Sequence, residues 1–159
     1  MKHIIDMKSI RNMYDEVVHD SSLFGSVVFQ ALAILFLLFI DTELFWRLLL
    51  TILAVLLVIT LIRASVLFKK RPSGIVIPRN FAERIQHSSL ASSHAATSFA
   101  FAVTVGLQVT TGAFIFLLIL AAIVSLSRLH LKKHFPSDVA TGTIIGIVMA
   151  VLINVILWA

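Results

Sequence analysis

The sequence predicts an all-α protein: a polytopic membrane helix bundle of about five transmembrane helices, with an amphipathic interfacial helix at its N-terminus. Three observations carry this expectation. Of the 159 residues, 59% are hydrophobic and mean hydropathy is +1.03, whereas a soluble domain of this size is usually just under half apolar. The apolar residues gather into five stretches of 16–21 residues, near the ~20 that carry a helix across about 30 Å of hydrocarbon. The basic residues crowd the connections between those stretches, as they do in membrane proteins.

The elements follow in order. In residues 1–22, Met7, Ile10, Met13, Tyr14, Val17 and Val18 recur at helical spacing, with Lys8, Arg11, Asn12, Asp15 and Glu16 between them. That pattern predicts a helix lying in the interface, or one packed on the protein's own loops. Acidic residues before the first span, and no small-residue cleavage site after a short apolar core, argue against a secretory signal. Residues 23–159 form the membrane domain. Its spans are expected at Leu23–Ile40, interrupted by Gln30; Leu48–Phe68, interrupted by Arg63; Ser92–Gln108, with small and hydroxyl-bearing residues at its start; Gly112–Ser127; and Val139–Trp158. Between the second and third spans, Pro72, Gly74 and Pro78 break regular structure. Asn80 with Glu83 three residues later then predicts a short capped helix.

Composition removes several function classes. The absence of cysteine excludes a disulfide framework, thiolate metal sites and cysteine nucleophiles. The formal charge of +5 is assigned to membrane topology and anionic lipid rather than to nucleic acid. Counting five crossings puts residues 1–22, 69–91 and 128–138 on one face and 41–47, 109–111 and the C-terminus on the other. The first face holds nearly all the lysine and arginine and the second only Arg47, which predicts a cytoplasmic location for the polar loops.

Three polar clusters fall on that first face. Ser127-Arg128-Leu129-His130-Leu131-Lys132-Lys133-His134-Phe135-Pro136-Ser137-Asp138 is a hinge between two spans, and ionisable residues there are costly next to hydrocarbon. Arg128 offers a planar, permanently charged fork suited to phosphate oxygens. His134 and Asp138 lie four apart, so the carboxylate can accept from one ring nitrogen and leave the other free to attack phosphorus. Lys132, Lys133 and His130 read as interface anchors. In Ser92-Ser93-His94, a serine can cap the helix, its first-turn N–H groups favour an anion, and His94 is placed to act as a general acid. In Lys69-Lys70-Arg71-Pro72, Arg71 is the expected phosphate ligand, with Lys69 and Lys70 at headgroup level. Arg63, two turns earlier, can snorkel to the same face as a further ligand.

These residues resemble the type 2 phosphatidic acid phosphatase family, whose core is shared with vanadium haloperoxidases. Of that family's motifs, Ser-Arg-x5-His-x3-Asp is matched completely by Ser127, Arg128, His134 and Asp138. Pro-Ser-Gly-His is matched by Ser92 and His94, with Ala91 for the proline and Ser93 for the glycine. Lys-x6-Arg-Pro is matched by Arg71 and Pro72, with Ala64 at the lysine position, where Arg63, Lys69 or Lys70 could supply the charge. The resemblance covers roughly residues 48–158. It implies His134 as nucleophile, Asp138 as its orienting partner and His94 as general acid. It also implies Arg71, Arg128, Ser92 and the Ser93 backbone as phosphate ligands, with no metal cofactor. Many members have six spans, whereas five are counted here, and many bacterial relatives face outward, against the charge count.

The expected function is therefore an integral-membrane lipid phosphatase working through a phospho-histidine. Its candidate substrates are phosphatidic acid, phosphatidylglycerol phosphate and polyprenyl phosphates or pyrophosphates. The rival classes are a catalytically silent binder of anionic lipid or of a partner, and a small transporter with Arg63 and Gln30 lining a path.

Overall fold

The computed structural model describes residues 27–65, 68–73 and 79–158. The expected amphipathic helix of residues 1–22 and the start of the first span lie outside the described residues. Within them the fold is all-helical: α1 Val27–Ile40, α2 Thr42–Ser65, α3 Phe81–His87, α4 Ser93–Gly106, α5 Thr111–His130 and α6 Pro136–Trp158.

Among the described residues, three helices are long and apolar enough to cross a membrane: Thr42–Ser65, Thr111–His130 and Pro136–Ile156. They are apolar on nearly all sides, and the residues facing outward recur every three or four positions. Leu53, Leu57 and Leu61 of α2, Ile115, Ile119, Ile123 and Leu126 of α5, and Ile144, Val148, Leu152 and Val155 of α6 are exposed. So continuous an apolar exterior needs lipid around it. Of the other two expected spans, α1 is described over 14 residues, and α4 is a shorter helix of 14 residues, or about 21 Å at 1.5 Å per residue.

The sequence of α4 explains its place. Ala95, Ala96, Thr97, Ser98, Ala100, Ala102, Val103, Thr104 and Gly106 are all buried, so small residues cover most of the helix, and it sits at the centre against α6, α5 and α2. Small residues let backbones approach closely where lipid offers no hydrophobic drive for association. The contact with α6 is the tightest: a Cβ built on Gly142 would stand 2.4 Å from the Ser92 carbonyl oxygen, and one on Gly146 would stand 2.1 Å from that of Ala96. Leu48, Ile52, Val55 and Ile59 of α2 pack against this pair and close the core.

The expected short helix is present as α3. Asn80 Oδ1 accepts the Glu83 amide at 2.8 Å, and Glu83 Oε2 accepts the Arg79 amide at 2.7 Å, a reciprocal cap.

Candidate active site

The hinge gets its shape from local backbone chemistry. At the end of α5 the Lys132 amide donates to the Leu129 carbonyl and the Lys133 amide to the Arg128 carbonyl, both at 3.0 Å. Lys132 itself has φ 52°. This is a Schellman ending with a lysine in the left-handed position usually held by glycine. It stops the helix at His130, within the turn that carries Arg128, and turns the chain so that His134 points inward, 4% exposed. Asp138 then starts α6: its Oδ2 accepts the Phe135 amide at 3.0 Å.

The second wall is the segment before α4. Ser88, Ser89, Ala91 and Ser92 are buried, and Ala91 is held at φ 52°. Ser92 caps α4, its Oγ accepting from the Ala95 amide at 3.4 Å, as the sequence led one to expect. The first-turn amides of Ser93 and His94 are left to face whatever lies beyond the helix.

The third wall is the chain leaving α2. The Lys69 carbonyl accepts the Ser89 amide at 2.9 Å, which ties this stretch to the second wall. Arg71, half-buried, follows directly, and burial lowers its guanidinium from the ordinary value.

His94, His134, Arg63, Arg71 and Arg128 are thereby brought within electrostatic reach of one another. His134 Nδ1 lies 2.9 Å from the Ser89 carbonyl oxygen. Because a carbonyl only accepts, Nδ1 carries the proton and Nε2 keeps its lone pair. Burial pushes this ring down to about 4, with Arg71, Arg128 and Arg63 acting in the same direction and the Ser89 hydrogen bond opposing them. The imidazole is neutral at physiological pH. Nε of Arg128 is enclosed and makes no hydrogen bond among the described residues. Among those residues no three His, Asp or Glu side chains gather in a way that could hold a metal ion.

The placement of the expected residues differs from the sequence reading at three points. Asp138 does not hold the His134 ring; its Oδ1 pairs with Lys69 Nζ at 2.5 Å and its Oδ2 caps α6, so the ring is oriented by the Ser89 carbonyl instead. Arg63 is not left free for phosphate: its Nε donates to the Leu90 carbonyl at 3.0 Å and its Nη2 to the Ala91 carbonyl at 2.8 Å. Its length, expected to carry the charge outward, is used to clamp the loop before α4. Lys70 is exposed, and the inward lysine is Lys69, which also lies over the Phe135 ring at 5.1 Å.

Ser89 was missed because its contribution is a backbone carbonyl. Lys69 was legible as one of two neighbouring lysines, but a non-helical connection gives no periodicity that would choose between them.

A model of the PAP2 superfamily matches residues 44–159, taking in nearly all of α2 and every later helix. Among solved structures, the crystal structure of Aquifex aeolicus LpxE is similar, with a TM-score of 0.74 at 19% identity over 89% of this chain and 85% of that chain. At that identity the likeness speaks to the fold alone. No curated protein matches the chain.

Proposed function

The chain belongs to the PAP2 superfamily, and on that premise we propose that it is an integral-membrane lipid phosphatase hydrolysing a phosphomonoester or pyrophosphate of a lipid. The observation that carries this reading is the convergence of His134, His94, Arg71 and Arg128 from three separate segments. Arg71 and Arg128 neutralise the phosphate oxygens, and the first-turn amides of Ser93 and His94 add donors. His134 Nε2 attacks phosphorus while the P–O bond to the lipid breaks, and His94 gives its proton to the leaving oxygen. Water then attacks phosphorus as His94, left neutral by the first step, takes a proton from it; the P–N bond breaks, its electron pair returns to His134 Nε2, and phosphate leaves.

In this scheme Asp138 and Arg63 position rather than react. Asp138 fixes the Phe135 amide beside His134 and holds Lys69 at the rim, while Arg63 fixes the carbonyls preceding Ser92. Phosphatidic acid, phosphatidylglycerol phosphate and polyprenyl phosphates or pyrophosphates all meet the requirement of an anionic headgroup on a membrane-embedded tail. The excess of basic residues on this side supports a cytoplasmic location for the site.

The test is phosphate release by purified protein from a panel of these lipids in the presence of a chelator. Release is expected from at least one lipid, and His134→Ala is expected to reduce it to background. Undiminished release by that variant would remove the proposed nucleophile. A silent lipid-binding protein, the reading favoured by the altered second motif with Ala91 and Ser93, would release nothing beyond background.

A further inference from the structure

Below the cation cluster, α1, α4 and α5 border a partly open apolar cleft of about 110 Å³. Phe29 and Gln30 of α1, Ser98 and Phe101 of α4, and Ala121 and Val124 of α5 line it. Helix periodicity relates it to the site. Ser98 follows His94 by four residues on α4, and Val124 precedes Arg128 by four on α5, so each lies one turn deeper on the same face, roughly 6 Å along the axis.

Ser98 distinguishes this cleft from ordinary imperfect packing. It is 7% exposed, and its Oγ makes no hydrogen bond among the described residues. Thr97, Ser125 and Thr141 return their hydroxyls to the carbonyl four residues earlier, the usual resort of such residues in apolar helices, and Ser98 does not. Thr104 shares the lack of a partner but is not among the residues lining the cleft. A hydroxyl buried without a partner is costly, and this one borders a space that a ligand can fill.

We infer that the cleft takes the upper part of a substrate acyl chain and that Ser98 Oγ donates to the ester carbonyl heading that chain. The inference rests on the lipid phosphatase reading and narrows it to acyl-ester phospholipids. In a glycerol phospholipid the ester carbonyl carbon is five bonds from phosphorus, roughly 6 Å when extended, which matches the one-turn depth of Ser98 below His94. A polyprenyl phosphate presents only hydrocarbon at that depth and leaves the hydroxyl unanswered. The guanidinium cluster above and the apolar walls below complement the two ends of such a lipid.

The experiment measures kcat/KM for phosphate release in mixed micelles from dioleoyl phosphatidic acid, its diether analogue and a polyprenyl phosphate. One hydrogen bond predicts that the ester lipid exceeds the diether by about fivefold, and that Ser98→Ala removes about that factor from the ester lipid alone. Ala121→Phe, which fills the cleft below the carbonyl, is expected to raise KM for dioleoyl phosphatidic acid several-fold more than for dihexanoyl phosphatidic acid, whose chains end higher in the cleft. Equal slowing of ester and diether lipids by Ser98→Ala, or no effect on either, overturns the inference. So does a dioleoyl KM insensitive to Ala121→Phe, which would mean that another segment or lipid fills the cleft. Polyprenyl phosphate turned over as fast as the ester lipid overturns this inference and leaves the phosphatase reading standing. No release from any of the lipids overturns both.

Discussion

His134 is buried among three guanidinium groups and for that reason carries no charge of its own. An unfolded histidine titrates near 6.5, and in the fold this ring is held down to about 4. The neutral ring therefore favours folding fully above pH 6.5, and that contribution is lost as pH falls through the window toward 4. We expect the His134 ring nitrogens, followed by ¹⁵N resonance in micelles, to show no protonation step between pH 8 and 5; a midpoint near 6.5 would mean the ring is neither buried nor surrounded as described. Ala91 makes a second case at this scale. It stands where the family motif has proline, yet its φ of 52° is closed to proline, whose ring fixes φ near −65°. Restoring the motif with Ala91→Pro should thus abolish the folded state, whereas Ala91→Gly should raise stability by about 1 kcal/mol. Thermal unfolding of the two variants in detergent checks both outcomes, and a folded Ala91→Pro protein would refute the assigned backbone.

At the scale of the element, the hinge and the α4–α6 contact follow different rules. The hinge is local: a Schellman ending after Arg128 and a carboxylate cap at Asp138 set the distance between guanidinium and imidazole with few long-range contacts. Lys132→Gly should therefore stabilise the protein by roughly 0.5–1 kcal/mol, since glycine takes the left-handed position without strain, and phosphate release should persist. The α4–α6 contact is tertiary, and its tolerance is set by backbone on the opposite helix. Gly146→Ala places a methyl 2.1 Å from the Ala96 carbonyl, so the helices must part, and a loss of about 1–3 kcal/mol is expected from overpacking. Because His94 and Asp138 sit at the facing ends of these two helices, activity should fall with stability. Unchanged melting of the Gly146 variant would show that the contact is looser than described.

At the scale of the whole molecule, the bundle places the start of α4, the ends of α2 and α5 and the start of α6 on one side, so a single membrane face holds the whole site. The charge excess on that side predicts cytoplasmic exposure. Cysteines introduced at the exposed positions Ser73 and Thr110, in a chain with no native cysteine, give the test. An impermeant thiol reagent should label the Thr110 probe in intact cells and the Ser73 probe only after lysis; the reverse pattern would place the site outside.

Much of this architecture could be read from the sequence. The length of the apolar runs located α2, α5 and α6 because transfer into hydrocarbon is a sum over neighbouring residues. The Arg128 and His134 spacing was legible because helix endings are local, and Ser92 as a cap for the same reason. Reading α4 as a span like the others was less informative, since its small residues fit it to the centre of the bundle at about two thirds of the bilayer core's thickness.

The sequence by itself determined the helical membrane class, the side of the bundle that carries charge and the residue types able to bind and attack a phosphate. Only the tertiary structure decided which partners those residues have. His134 leans on the Ser89 carbonyl, 45 positions away; Asp138 pairs with Lys69 rather than with the ring; Arg63 secures a loop; and Ser98 borders a cleft shared by three helices. The physical reason is that every residue carries the same carbonyl and amide, so a hydrogen bond to backbone leaves no mark in the identity of its partner. Hydropathy and helix period are properties of neighbours along the chain, whereas orientation and enclosure at the site belong to residues that meet only after the helices pack.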